Sequence, residues 1–149
     1  MQLGSGNNSI TVGTGNDNIQ AGDGANVVNV GAAGSIGNVN VQLGNGANNV
    51  VNILGNGNDH IQIGNGANAH LTIIGNGNDQ VQLGNGTADY VAITGNGNDN
   101  VQFGAGANGY IAITGNGNEN VTTGNGSGQL KIRGAGNRNL HLGCGWTQL

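Results

Sequence analysis

Glycine opens matching phrases at Gly55, Gly75, Gly95 and Gly115, a strict spacing of twenty residues. Each phrase reads GNGN, then an acid, then a short alternation of apolar and polar side chains: GNGNDHIQI, GNGNDQVQL, GNGNDNVQF and GNGNENVTT. Between them lie GNGANAHLTII, GNGTADYVAIT and GAGANGYIAIT, so one repeat is nine residues plus eleven. A unit this short cannot bury an apolar face by itself and must stack on copies of itself to make a continuous core. The alternation has the period of a strand, and so much glycine is incompatible with a helix bundle. The predicted fold class is all-β: a parallel β-solenoid of the β-roll or β-helix kind, with two strands and two turns per coil of about twenty residues.

The whole chain, 1–149, reads as a single repeat domain of roughly six to seven coils, with regular coils over 35–133. Residues 1–34 form irregular first coils, in which GTGNDNIQA from Gly13 carries Asp17 at the acid position, ahead of a local two-residue insertion. SIGNVNVQL from Ser35 keeps the phase but places Val39 where the acid belongs. Residues 134–149 make a last coil and cap. There GAGNRNLHL arrives one residue early with Arg138 at the acid position, and Trp146 with Leu149 is expected to fold over the end as a plug.

Side chains on a strand alternate between faces. The columns Ile61/Val81/Val101/Val121, Ile63/Leu83/Phe103, Leu71/Val91/Ile111 and Ile73/Ile93/Ile113 are apolar and form the predicted interior. Gln20, Gln42, Gln62, Gln82 and Gln102 fall on the outward phase, where stacked amides can join along the axis as a ladder. The corner glycines are expected to supply left-handed backbone.

Composition removes several classes of function. A net charge of −4, with Lys131, Arg133 and Arg138 as the only fixed cations, leaves no basic stripe for nucleic acid. No apolar run reaches membrane-spanning length. The opening MQLGSGNNSI has neither the basic start nor the apolar stretch of a cleavable signal peptide. Cys144 stands alone, which excludes an internal disulfide and a Cys-based zinc site. GAGANG at 104–109 formally matches a phosphate-binding loop, but a strand follows it where a helix is needed. His60, His70 and His141 fall in different columns or distant coils and lack a metal-ligand spacing. The chain is therefore not expected to be an enzyme.

Five of the seven acids, Asp17, Asp59, Asp79, Asp99 and Glu119, share one phase of the repeat. In successive coils such side chains lie ~4.8 Å apart, where like charges repel by about 1 kcal/mol even in water. In a chain with only 7% charged residues, that alignment points to a counter-ion. Calcium suits it: a hard cation taking six to eight oxygens, here two carboxylates plus turn carbonyls. The competing reading is a metal-free column on a solvated turn, where Asp and Asn are common for local hydrogen-bonding reasons.

GTGND at Gly13 and GNGND in later coils resemble the nonapeptide calcium repeat of repeats-in-toxin (RTX) proteins, G-G-x-G-x-D-x-U-x. The resemblance implies a right-handed parallel β-roll, calcium held between successive turns, and export from bacteria to an extracellular or cell-surface location. By position, Asp17, Asp59, Asp79 and Asp99 match the motif's acid, and Glu119 is a longer substitute. The motif's first glycine is replaced by residues such as Leu54 or Ile74, and the second corner lacks the acid except for Asp89, shifted by one. Calcium is thus expected on one edge only, between 59/79, 79/99 and 99/119, with Asp17 left partnerless because Val39 follows it.

One-sided GTGNDxUxU coils also resemble the ice-binding segment of giant marine bacterial RTX adhesins, in which turn Thr and Asn point outward. The corresponding surface array here is Thr14, Asn16, Asn56, Asn58, Asn76, Asn78, Asn96, Asn98, Asn116 and Asn118. The alternative is asparagine present for turn geometry alone. Three expectations follow for function. The first is a non-catalytic, calcium-supported extracellular module acting as spacer or surface-binding element. The second is binding of ice or a polymer surface through the Asn/Thr edge. The third is end-to-end self-association through open solenoid ends into filaments or dimers.

Overall fold

The computed structural model describes residues 1–149 and contains fifteen strands and no helix. In chain order they are β1 (Ser9–Val12), β2 (Asp17–Ala21), β3 (Val27–Gly31), β4 (Val39–Leu43), β5 (Val50–Leu54), β6 (His60–Ile63), β7 (His70–Ile74) and β8 (Gln80–Leu83). They continue as β9 (Tyr90–Thr94), β10 (Asn100–Phe103), β11 (Gly109–Thr114), β12 (Glu119–Thr123), β13 (Ser127–Arg133), β14 (Arg138–His141) and β15 (Gly145–Gln148). Odd-numbered strands make one eight-stranded sheet and even-numbered strands one seven-stranded sheet, each in sequence order. Every pairing is parallel, and in the regular coils the register is one repeat: Val101 pairs with Val81 on one side and Val121 on the other.

The chain is therefore a two-sheet β-solenoid, and its interior follows from the period. Ile61, Val81, Val101 and Val121 are fully buried, as are Leu71, Val91 and Ile111 in the facing sheet. All 26 buried apolar residues form one cluster along the axis. Outside, His70, Tyr90 and Tyr110 stack with ring centroids 4.5 and 5.3 Å apart. The glutamine ladder closes only near the start, with Gln20 Nε2 donating to Gln42 Oε1 (2.8 Å) and Gln42 Nε2 to Gln62 Oε1 (3.3 Å).

Two expectations need correction. In the regular coils the left-handed residues are Asn48, Asn68, Ala88 and Asn108, at φ of 58–62°, and the positive-φ glycines are confined to Gly6, Gly15, Gly31, Gly34 and Gly134. The corner glycines are needed for a different reason, which is close approach. A methyl on Gly75 would overlap the Gly55 carbonyl oxygen, and one on Gly77 the Gly57 oxygen. At the far end Trp146 alone makes the plug. Its ring meets Phe103 edge-on at 5.2 Å and occupies the space that Gly109 and Gly128 leave by lacking a Cβ, whereas Leu149 is 61% exposed.

Candidate metal centre at the acid corner

In the coils from β4 to β12 the residue just before or opening each even-numbered strand points inward, because it is two positions ahead of the buried column Val41/Ile61/Val81/Val101/Val121, whereas Arg138 at the start of β14 is exposed. Asp59, Asp79, Asp99 and Glu119 occupy that place and are only 2–3% exposed. The reading of a solvated acid column is thereby overturned. Each aspartate bonds back to the preceding coil. The Val39 N–H donates to Asp59 Oδ1 (2.9 Å), the Asp59 N–H to Asp79 Oδ1 (3.1 Å) and the Asp79 N–H to Asp99 Oδ1 (3.0 Å). Asp17 is half-buried and pairs with Val39, so no acid follows it in the next coil.

Three oxygens of this column are unmatched. Asp59 Oδ2 and both carboxylate oxygens of Glu119 are buried without a hydrogen-bond partner. Burial pushes the Asp79 carboxyl up to about 7, with the charges of Asp99 and Asp59 adding to the effect. Glu119 is likewise pushed up to about 7, by burial and then by Asp99. Asp59 and Asp99 are raised by burial, partly offset by the backbone N–H each accepts. A carboxylate held dry without a full set of donors favours any species that restores charge balance.

The opposite corner of the first coils holds a self-sufficient arrangement with the same spacing. Asn8 Nδ2 donates to the carbonyls of Gly6 (2.9 Å) and Gly4 (3.2 Å), and Asn26 Nδ2 to those of Gly24 (3.0 Å) and Gly22 (3.1 Å). The Asn26 N–H meanwhile donates to Asn49 Oδ1 at 3.0 Å, the same link to the next coil that the aspartates make. These asparagines sit in G-x-G-x-N, with glycines two and four residues earlier; the acid corners are G-x-G-x-D or G-x-G-x-E with the same spacing. Exchanging Asn for Asp keeps the acceptor oxygen and removes the hydrogens that the two glycine carbonyls would receive. By analogy with the asparagine corners, two successive acid corners would offer two carboxylates and four glycine carbonyls, Gly55 and Gly57 with Gly75 and Gly77 for example. That all-oxygen set fits a hard cation such as calcium. No three acidic, histidine or cysteine side chains converge on one point, so the carbonyls are essential to such a site.

Sequence reading missed the inward amides of the second corner and misplaced Asp89. Asn26 and Asn49 are fully buried, and Asp89 stands in their column rather than out of phase. It accepts the Ala69 N–H at 2.8 Å, and its Oδ2 is buried without a partner. The signal was available: Asn26, Asn49 and Asp89 each immediately precede an odd-numbered strand, as the acids precede even ones. Burial raises the Asp89 carboxyl as well, but the coils on either side put Ala69 and Gly109 at its position, so it has no acid neighbour to share a cation.

The outward array divides. Asn56, Asn76, Asn96 and Asn116 form one exposed row in which each Oδ1 accepts the backbone N–H of the next coil, at 2.9–3.1 Å. Asn16, Asn58, Asn78, Asn98 and Asn118 form a second with Asn38, at 2.7–3.1 Å. Thr14 is set apart: Gly37 stacks on Gly15, which puts the 84%-exposed Ile36 between Thr14 and Asn56. The side-chain carbonyls thus serve the corner itself, and several amides also donate along their row, as Asn118 Nδ2 does to Asn98 Oδ1 at 2.8 Å and Asn98 Nδ2 to Asn78 Oδ1 at 3.1 Å. No protein-family model, no curated protein and no solved structure matches this chain.

Proposed function

We propose that the chain is a non-catalytic, calcium-supported repeat module that works outside the cell as a spacer or surface-binding element. The observation that carries this reading is the set of buried carboxylate oxygens without donors, in G-x-G-x-D and G-x-G-x-E corners spaced like the opposite G-x-G-x-N corner, whose asparagine donates to both glycine carbonyls. Calcium between 59/79, 79/99 and 99/119 would supply the missing positive charge. Extracellular calcium modules commonly bind at about 10⁻⁴–10⁻³ M, in keeping with sites that use only one acid per coil. Thermal melting followed by circular dichroism, in chelator and then in calcium or magnesium, tests it. At a hundredfold excess over the dissociation constant calcium should add about 2.7 kcal/mol. An unchanged melting curve up to ~100 mM calcium at matched ionic strength, a hundredfold excess over the weakest such sites, rejects the metal.

Charge distribution favours contact with an ordered neutral surface, ice or an uncharged polymer, as a second reading. From Gly24 to Leu130 the chain has no Lys or Arg, and all its acids in that span are buried. The exterior of the central coils therefore presents no carboxylate, Lys or Arg side chain, and its polar rows repeat at the coil spacing. Measurement of thermal hysteresis and of retention on insoluble polysaccharide tests it; absence of both at high protein concentration removes this reading.

A further inference from the structure

The sequence contains nine Asn-Gly pairs: at Asn45, Asn56, Asn65, Asn76, Asn85, Asn96, Asn108, Asn116 and Asn125. This dipeptide is the one most prone to spontaneous loss of the side-chain amide, because glycine puts no Cβ in the way of the attacking main-chain nitrogen. In seven of the nine, the Asn Oδ1 accepts a backbone N–H from the next coil, at 2.8–3.1 Å. Those bonds hold the amide away from the following glycine nitrogen. Asn108 and Asn125 lack them. Asn108 is followed by Gly109, which is buried at the start of β11. Asn125 is exposed, Gly126 after it is only half-buried, and no hydrogen bond engages its side chain. The cause is local: the last coil, shortened by one residue, brings no backbone N–H onto Asn125 Oδ1, and Ala105 one coil earlier in the row Asp23, Asn45, Asn65, Asn85 offers the Asn125 amide no acceptor oxygen.

We infer that Asn125 is a built-in self-modification site, deamidating while the laddered Asn-Gly pairs are protected. The Gly126 nitrogen attacks Cγ of Asn125, a C–N bond forms, and the side-chain amide leaves as ammonia carrying the Gly126 proton. Water then opens the five-membered imide at either carbonyl, giving aspartate or β-linked isoaspartate. The isoaspartate product adds a methylene to the main chain in the corner between β12 and β13. That shift works against the register of β13 on β11 and against the seat of Trp146 over Gly128. Modification therefore loosens the last coil first. The inference uses neither the acid column nor any metal.

Incubation of the intact chain in mildly alkaline buffer, followed by peptide mapping that separates Asn, Asp and isoAsp, tests this directly. Release from one ladder hydrogen bond corresponds to about a tenfold rate difference. Asn125 should therefore convert about tenfold faster than Asn56, Asn76 or Asn96 in the folded chain, and all nine should converge in denaturant. Equal rates in the folded chain overturn the inference. So does the reverse order, which would mean that the N–H on Oδ1 activates Cγ instead of holding it. A lead for Asn125 that persists unchanged in denaturant also overturns it, since the cause would then be local sequence.

Discussion

Replacing Asp79 with asparagine separates the proposed role of the acid column from ordinary packing, because the substitution changes charge and donors but almost no volume. Asp79 Oδ1 accepts the Asp59 N–H, and an asparagine oxygen keeps that bond. The new Nδ2 takes the place that Asn26 uses to reach the carbonyls of Gly22 and Gly24. In metal-free protein above neutrality, the wild-type carboxylate is held ionised against a folded-state value of about 7, raised from 3.8. Each unit of such a shift is worth about 1.4 kcal/mol, so the penalty removed is about 4 kcal/mol at most, and less where Asp99 and Asp59 share the charge. Two amide bonds add about 1 kcal/mol each at best. A net gain of about 2–4 kcal/mol corresponds to a rise of about 5–15 °C in melting temperature for a chain of this size. Asp79→Asn should therefore melt higher than wild type in chelator and respond less to calcium, having lost its share of two of the three sites. Asp79→Ala is the control: it strands the Asp59 N–H and should melt lower than Asp79→Asn. Should Asp79→Asn melt at or below wild type in chelator, or keep the full calcium response, the reasoning from the asparagine corners fails.

Two further outcomes are expected. Asp79 and Glu119 bind protons more tightly folded than unfolded, so metal-free stability should be greatest below about pH 4, the ordinary carboxylate range, and decline as pH rises through about 7; chemical denaturation across that range checks it, and saturating calcium should flatten the curve. Ala88 holds φ of 58° where the other regular coils have asparagine, so Ala88→Gly should stabilise by about 1 kcal/mol, read from the denaturation midpoint at unchanged slope.

Much of this architecture is legible in the chain because identical columns must share one environment. The period of twenty placed Ile61, Val81 and Val101 in a common interior, and it put the acids in one column. Which way that column pointed was harder to read, since Asp at a turn serves solvent and backbone equally well. The decisive comparison lay inside the sequence, between G-x-G-x-N at Asn8 and Asn26 and G-x-G-x-D at Asp59. The two lie at opposite corners of the coil, before odd-numbered and even-numbered strands respectively, so counting in twenties never aligns them. Glycine posed a similar ambiguity: left-handed backbone and close approach both select it. Only stacked coordinates show that Gly75 and Gly77 are chosen by the carbonyls beneath them, while Asn and Ala carry the positive φ.

The distribution of the two corner types bears on how such a chain folds. Asn8, Asn26 and Asn49 hydrogen-bond their own corner carbonyls in the early coils, whereas Asp59, Asp89 and Glu119 in the later coils leave carboxylate oxygens buried without a donor. In a solenoid, stability is close to a sum of each coil's own contribution and its interface with the next. On the proposed reading, a self-sufficient start offers a surface on which later coils can pair, and calcium decides whether they hold. A chain built with asparagine throughout would be stable everywhere and unable to respond. One built with acids throughout would have no ordered end from which to grow. On that reading, amide corners in the first coils followed by buried acid corners from Asp59 onward would let order propagate in one direction, toward Trp146, when the cation arrives.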